Sequence, residues 1–329
     1  MTTTPTLDAD RILPTILVAQ AQARSVDRLS PSFVRVELGA PEFVDLARDE
    51  GFDTRLKLIF PGPTGVLPAL PEDPEQWYAG WLAMPDAERP PMRTYTIREI
   101  TGAGPHTGLV VDFVVHEGGD LGPACRWALS AAPGDEIQVI APYGPGIAAG
   151  KPYQGTEFQP GDASYVLLVG DETALPAIAR IVADLPRDAR GAAYLEVPTA
   201  EDELPLTPPE GLAVRWISRA DRPHGEALQR AVRRHVALPP LDASPAPSAS
   251  EPACSMDVEI WETPTFSAYG ESLEEATVPH TDHQGMYAWV AGESSIVKVV
   301  RRALVGELGL DRRQVAFMGY WRQGVAMRS

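Results

Sequence analysis

The sequence predicts two domains, an antiparallel β-barrel over residues 1–158 and a parallel α/β domain over 159–329. Three observations predict it. Short apolar runs separated by Pro/Gly turns fill the first half, as a small barrel requires. From about residue 159 the pattern changes to strands of buried type alternating with amphipathic segments of helical period. The chain, at 329 residues, is long enough for two separate cores.

In the barrel, Val34–Leu38 alternates apolar and polar, and Leu56–Phe60 is a short apolar run. Thr94–Ile100, Leu109–Val115 and Glu136–Ile140 follow as further strands. Segment 61–91 is rich in proline and carries Trp77, Tyr78 and Trp81; it is too long for a hairpin loop and is either functional or a cover. In the second half, Tyr165–Val169 reads as a strand and Thr173–Leu185 as a helix capped by Thr173. Ala192–Val197 and Ala213–Ile217 are strands, Ala227–Val236 a helix and Tyr287–Val290 a strand. A helix from about Ser294 to Leu308 stops at Gly309, and Gln314–Gly319 closes the sheet. An insertion at about 239–284 interrupts this alternation. Its opening, PPLDASPAPSASEPA, has the composition of a disordered segment. The remainder, with Trp261, Phe266 and Tyr269, carries no recognisable chemistry.

A formal net charge of −17 argues against nucleic acid, which is bound through clustered Lys and Arg. Lysine occurs only at Lys57, Lys151 and Lys298, so arginine must provide most local positive charge. Two cysteines, Cys125 and Cys254, make neither a metal-ligand cluster nor a disulfide framework. The N-terminal apolar patch lacks a basic opening and is broken by Pro14, and no apolar run is long enough to span a bilayer. A cytoplasmic monomer is expected.

The stretch Arg93-Thr94-Tyr95-Thr96 carries the first sign of chemistry. A flavin needs an aromatic face for its ring, a hydroxyl or backbone donor for its polar edge and positive charge for its pyrophosphate. Residues two apart on a strand point the same way, so Arg93 and Tyr95 would share a face, with Thr96 as the hydroxyl. His116 ends the next strand, and Gly122-Pro123-Ala124 opens a short helix whose free N–H groups suit a phosphate. Trp127, beyond that cradle, suits a longer ligand with an adenine, which favours FAD over FMN.

In the second half the first strand–helix turn reads Gly170-Asp171-Glu172-Thr173-Ala174, not Gly-x-Gly-x-x-Gly. Asp171 and Glu172 complement the helix dipole but would repel a pyrophosphate. Ser218-Arg219 ends a later strand, where a hydroxyl and a guanidinium could hold the 2′-phosphate of NADPH, although NADH stays open. Gly292-Glu293-Ser294 follows another strand, with glycine admitting a ligand to the backbone and Ser294 able to cap the helix.

RTYTIRE, VDFVVHEGG…GPACRWA, YVLLVGDETALPAIARI, YAWVAGESS and GYWRQG occur in this order, joined by RLSPSFVRVEL and RLKLIFPGP. Together they resemble the siderophore-interacting proteins, also called ferric-siderophore reductases, within the ferredoxin–NADP reductase-like flavoproteins. The likeness covers most of the chain except about 64–84 and 239–284. It implies an FAD-binding barrel and an NAD(P)H-binding α/β domain, with iron leaving a ferric siderophore as Fe(II). It also implies that the Asp171–Ala174 loop faces the flavin and the nicotinamide, with Thr173 as a polar contact, and that Gly292 and Glu293 form the second dinucleotide loop. Lys57 is the first candidate for a cation facing the chelate, and Trp321 with Arg322 the second. No catalytic side chain and no resident metal are needed, because the cofactor carries the hard chemistry. A flavin-dependent reductase of another acceptor and a non-catalytic siderophore-binding protein remain alternatives.

Overall fold

A computed structural model describes residues 13–48, 51–62, 65–69, 71, 73–116, 121–150, 153–240, 260–263, 266–267 and 285–324. The first sheet contains β1 (Ile16–Ser30), β2 (Phe33–Gly39), β3 (Arg55–Ile59), β4 (Met92–Thr96), β5 (Glu99–Thr101), β6 (Gly108–Val114) and β7 (Glu136–Pro142). Its order is β4-β3-β7-β1-β2-β6-β5, every pair antiparallel. The two edge strands, β4 and β5, are joined by only Ile97 and Arg98, so the sheet must curl until its edges approach. The two linking residues complete the turn, Ile97 N–H donating to Thr54 O and Arg98 N–H to Val110 O. The single strand expected over Thr94–Ile100 is therefore two.

The longest strand, β1, lies outside the expected set. Leu17, Ala19, Ala21 and Ala23 alternate into the core, but alanine is a weak strand former and masks the period. Segment 61–91 is a cover: α1 (Trp77–Leu82) buries Trp81 against Ile59, Met92 and Ile140 on the outer face of the sheet. Two more short helices, α2 (Pro123–Ser130) and α3 (Gly144–Ala148), flank β7.

The second sheet is built from β8 (Tyr165–Gly170), β9 (Arg190–Val197), β10 (Gly211–Ser218), β11 (Trp261–Thr263), β12 (Phe266–Ser267), β13 (Met286–Glu293) and β14 (Val315–Trp321), in the order β10-β9-β8-β13-β14-β11-β12. The first five in that order are parallel. β11 and β12, from the remainder of the insertion, are antiparallel additions, so the sheet is mixed; residues 241–259, most of them the opening expected to be disordered, lie outside the described residues. On one face α4 (Leu175–Asp184) packs Ile178, Ile181 and Val182 against the strands. On the other lie α5 (Glu226–His235) and α6 (Ser294–Arg301), through Leu228, Val232, Ile296 and Val300. The last helix continues as a π-helical turn, Arg302–Glu307, before Gly309. Strand order reverses between β8 and β13, and in open α/β sheets ligands bind outside the carboxyl ends of the strands at such a point.

The two sheets share core and buried polar pins. Phe33 of β2 is fully buried in the core of the second sheet. The Asp53 carboxylate accepts from Phe158 N at 2.9 Å, Glu157 N at 3.1 Å and the Trp289 indole of β13 at 2.9 Å. Asp202 accepts from Ser30 Oγ and Ser32 N, each at 2.8 Å. Both carboxylates are completely buried, and such groups are tolerated only when hydrogen-bonded. Among the described residues no helix is long and apolar enough to cross a membrane.

Candidate functional site

On the barrel side, β4 pairs with β3 so that Tyr95 faces Leu56 and Arg93 faces Leu58. Arg93 and Tyr95 therefore point to one side, and Thr96, one residue on, is buried on the other. The Tyr95 ring lies 4.6 Å from Phe113 and 6.5 Å from Phe60, and Trp127 of α2 lies 5.5 Å and 5.8 Å from the same two rings. One aromatic cluster thus joins β4, β6 and α2. Burial raises the Tyr95 hydroxyl above its ordinary value, keeping it a neutral donor. Burial also lowers Arg93, whose guanidinium is half-buried beside it and donates to Met92 O.

The start of α2 is open. Its N-cap, Gly122, is exposed and among the described residues no side chain caps the helix; a Cβ there would meet nothing of them within 4 Å, and no acidic residue stands in the first turn. Pro123 has no N–H, which leaves those of Ala124 and Cys125 as unpaired first-turn donors. His116 is tied to this helix by its backbone, which contacts Cys125 Sγ, while its imidazole is exposed. The intervening Glu117–Asp120 lies outside the described residues. An aromatic cluster with an arginine, next to an uncapped helix start, fits a flavin nucleotide with its pyrophosphate on α2.

The carboxyl ends of the second sheet are different. Asp171 follows β8, and its carboxylate accepts from Thr173 N (2.9 Å) and Thr173 Oγ1 (2.5 Å), then across the switch point from Glu293 N (2.8 Å) and Trp321 Nε1 (3.0 Å). Gly292 makes this approach possible: at φ +140° it is strained for other residues, and a Cβ would sit 2.7 Å from the Asp171 carboxylate. The helix cap expected of Thr173 is absent, because α4 starts at Leu175 after Ala174 and Thr173 instead serves Asp171. Similarly Glu293, not Ser294, caps α6, accepting from Ser295 N and Ile296 N, while Ser294 Oγ donates to Trp321 O.

Beside Asp171 stands a buried charge network. Arg219, at the end of β10, donates to both oxygens of Glu172 at 2.9 and 3.0 Å and to Glu196 Oε1 at 3.2 Å. The guanidinium expected at a 2′-phosphate is thus engaged by two carboxylates. His224 Nε2 lies 3.6 Å from both Asp171 and Glu172, an ion-pair distance without a proper hydrogen bond, and its ring rests 5.3 Å from that of Trp321. Burial works against a charged His224, but Glu172 and Asp171 outweigh it and raise the imidazole above its usual value. Burial alone would raise Glu172; His224 and Arg219 instead pull it down to about 2. Asp171 moves the other way, raised by burial and by Glu172. Ligand atoms of Asp171, Glu172 and His224 lie within 4.8 Å of one another, yet the Arg219 guanidinium already covers Glu172 and would repel a cation there.

The acceptor candidates are not brought together with the flavin candidates on one strand face. Lys57 pairs with Thr94, facing away from Tyr95, and its ammonium donates to Thr94 Oγ1 at 2.6 Å. Burial, helped by Arg55, lowers its proton affinity. Trp321 joins the nucleotide loops through Asp171 and His224, and Arg322 is exposed after it.

Residues 22–146 match the family model described as siderophore-interacting FAD-binding domain, and residues 163–324 the one described as siderophore-interacting protein. The NADPH-dependent ferric-chelate reductase of Escherichia coli (strain K12) is 31% identical over 301 residues, 90% of this chain and 89% of that protein. The chain belongs to the siderophore-interacting protein family. A siderophore utilization protein from T. fusca has the same fold, with a TM-score of 0.65, 31% identity and 95% of each chain covered. An uncharacterized protein of Mycobacterium tuberculosis is 34% identical over 195 residues, or 59% of this chain, and the chain spans 62% of its length. The overall fold is ferredoxin reductase-like, and the barrel carries the family's FAD-binding domain.

Three site residues escaped the sequence. Glu196 is a lone acid inside the apolar strand Ala192–Val197, a pattern that signals a paired buried charge. His224 follows Arg222-Pro223 in a loop, with nothing local to mark it. Arg55 reads as an ordinary strand arginine until its partners are seen.

Proposed function

We propose that this protein is an FAD-dependent NAD(P)H:ferric-siderophore reductase working in the cytoplasm. The observation that carries the reading is the uncapped start of α2 on the helix that carries Trp127 of the Tyr95–Phe113–Trp127 cluster. Bound FAD would supply the redox chemistry, accepting hydride from NAD(P)H and passing single electrons to Fe(III). Tyr95 and Trp127 supply aromatic faces, Arg93 offsets the pyrophosphate charge, and the first-turn N–H groups of α2 hold it. His116 and Gly122–Ala124 border that cradle.

The acid-rich edge formed by Asp171, Glu172 and Glu293 is a poor place for phosphate and a good one for a nicotinamide, which becomes positive as it is oxidised. Thr173 and Gly292 line that edge, Ala174 is fully buried behind it, and Ser218 with Arg219 ends β10, two strands from β8. Lys57 and Arg322 contribute positive charge for an anionic chelate, with Trp321 between the nucleotide loops and the tail. The reductase of E. coli is named for NADPH, and the same nucleotide is proposed here.

Anaerobic mixing tests this directly. NADPH is expected to bleach the flavin spectrum, and a ferric siderophore to restore it. A flavin that NADPH reduces but that no ferric chelate reoxidises, while quinones do, would move the protein to another acceptor. A preparation without flavin would leave a binding protein.

A further inference from the structure

The insertion between α5 and β13 supplies a built element where its composition suggests none. Ile260 is fully buried, and its carbonyl accepts from Gly319 N at 2.8 Å. Glu262, 4% exposed, is held by Arg301 at 2.5 and 2.9 Å, with Arg312 at 3.7 Å. Burying a carboxylate is costly unless it is paired, so this clamp fixes the register of β11 on β14. Strand alternation then turns Trp261 to the opposite face from Glu262.

On that face Trp261 stacks at 6.3 Å on Tyr320, and the Arg55 guanidinium of β3 lies 4.7 Å from its ring centre. A strand from the insertion thus joins the second sheet to the barrel. Arg55 is two residues from Lys57 on β3, so the two side chains leave the same face about 6.6 Å apart. Arg55 is already paired with Glu157. The Lys57 ammonium, with three donors, makes one hydrogen bond among the described residues, to Thr94. Trp261 is only half-buried.

We propose that Trp261, held against Arg55 on the face of β3 that also carries Lys57, forms part of the acceptor site and is a specificity-determining residue for ferric chelates with anionic aromatic arms. This rests on the reductase reading. An indole edge accepts an aromatic arm edge-to-face, Lys57 meets its negative charge, and Tyr320 with Arg55 keeps the indole from turning away. A chelate with neutral aliphatic arms would gain from neither contact.

The test uses the full-length FAD-loaded protein and probes that cannot be reduced: Ga(III) tris-catecholate and neutral Ga(III) tris-acetohydroxamate, titrated by calorimetry. Trp261→Ala is expected to weaken catecholate binding about five- to tenfold and hydroxamate binding less than about twofold, with Trp261→Phe close to the parent for both. Should the alanine variant fail to load flavin, Trp261→Leu keeps apolar volume without a ring and should show the same selective loss. Equal losses with both probes, an unchanged catecholate affinity, or no catecholate binding by the parent would overturn the assignment. Because gallium bypasses turnover, a parent that binds the probe yet reduces no ferric chelate would sink the reductase reading and leave this one standing.

Discussion

Among the described residues no side chain caps the start of α2, and a Cβ on Gly122 would meet nothing within 4 Å. In the loop before α4 the Asp171 carboxylate takes the N–H of Thr173 and, across the switch point, that of Glu293, and at the start of α6 Glu293 takes those of Ser295 and Ile296. Helix starts attract anions in either case. The barrel leaves that attraction open for a ligand, and the α/β sheet spends it internally. In the function proposed above, this contrast divides the work between the two regions: pyrophosphate of the flavin on the barrel, and a ring that gains positive charge at the acid-lined switch point.

The largest expected effect lies in the network that makes the second region acidic yet stable. Arg219→Ala leaves Glu172 and the fully buried Glu196 without their guanidinium, and removing one partner of a buried pair costs about 3–5 kcal/mol. The thermal midpoint should fall by many degrees, and KM for NADPH and NADH should change alike. A parental midpoint with a rise in KM for NADPH alone would instead put Arg219 on the 2′-phosphate.

A smaller effect depends on pH. His224 is raised above its ordinary value of 6.5, so its stabilising charge is complete below that value and is lost as pH climbs through the higher folded-state value. The gap in thermal midpoint between the parent and His224→Gln should be widest near pH 6, measured by calorimetry or dichroism, and should close in alkali. A gap that stays constant would mean packing against Trp321 rather than charge. Glu172 follows the opposite sign: lowered to about 2, it keeps its contribution above the ordinary 4.5 and loses it only as acid approaches that lower value.

Much of the fold was legible because strands such as Leu109–Val115 and Tyr165–Val169 are short, valine-rich apolar runs, whose length and β-branched content assign them to strands. β1 was not, since its core face is three alanines and one leucine over Leu17–Ala23. The shared face of Arg93 and Tyr95 was readable locally, by strand geometry alone. The switch-point network was not, because Asp171, Glu196, Arg219 and His224 meet only through parallel pairing of β8, β9 and β10. Trp261 illustrates the same limit. Its partners are Arg55 and Tyr320, and nothing in the composition of 239–284 marks it as a residue between two domains.

The division of labour is tested most directly by FAD affinity in two variants that exchange the character of the helix starts. Gly122→Asp brings a carboxylate to the open start of α2, and Asp171→Asn removes one from the closed edge. By fluorescence titration, Gly122→Asp should bind FAD at least about tenfold more weakly, the loss of one charge-assisted contact or more. Asp171→Asn should hold FAD as the parent does while changing the rate at which NADPH reduces it. Unaltered FAD binding in Gly122→Asp, together with loss of FAD in Asp171→Asn, would place the pyrophosphate on the wrong helix in this account.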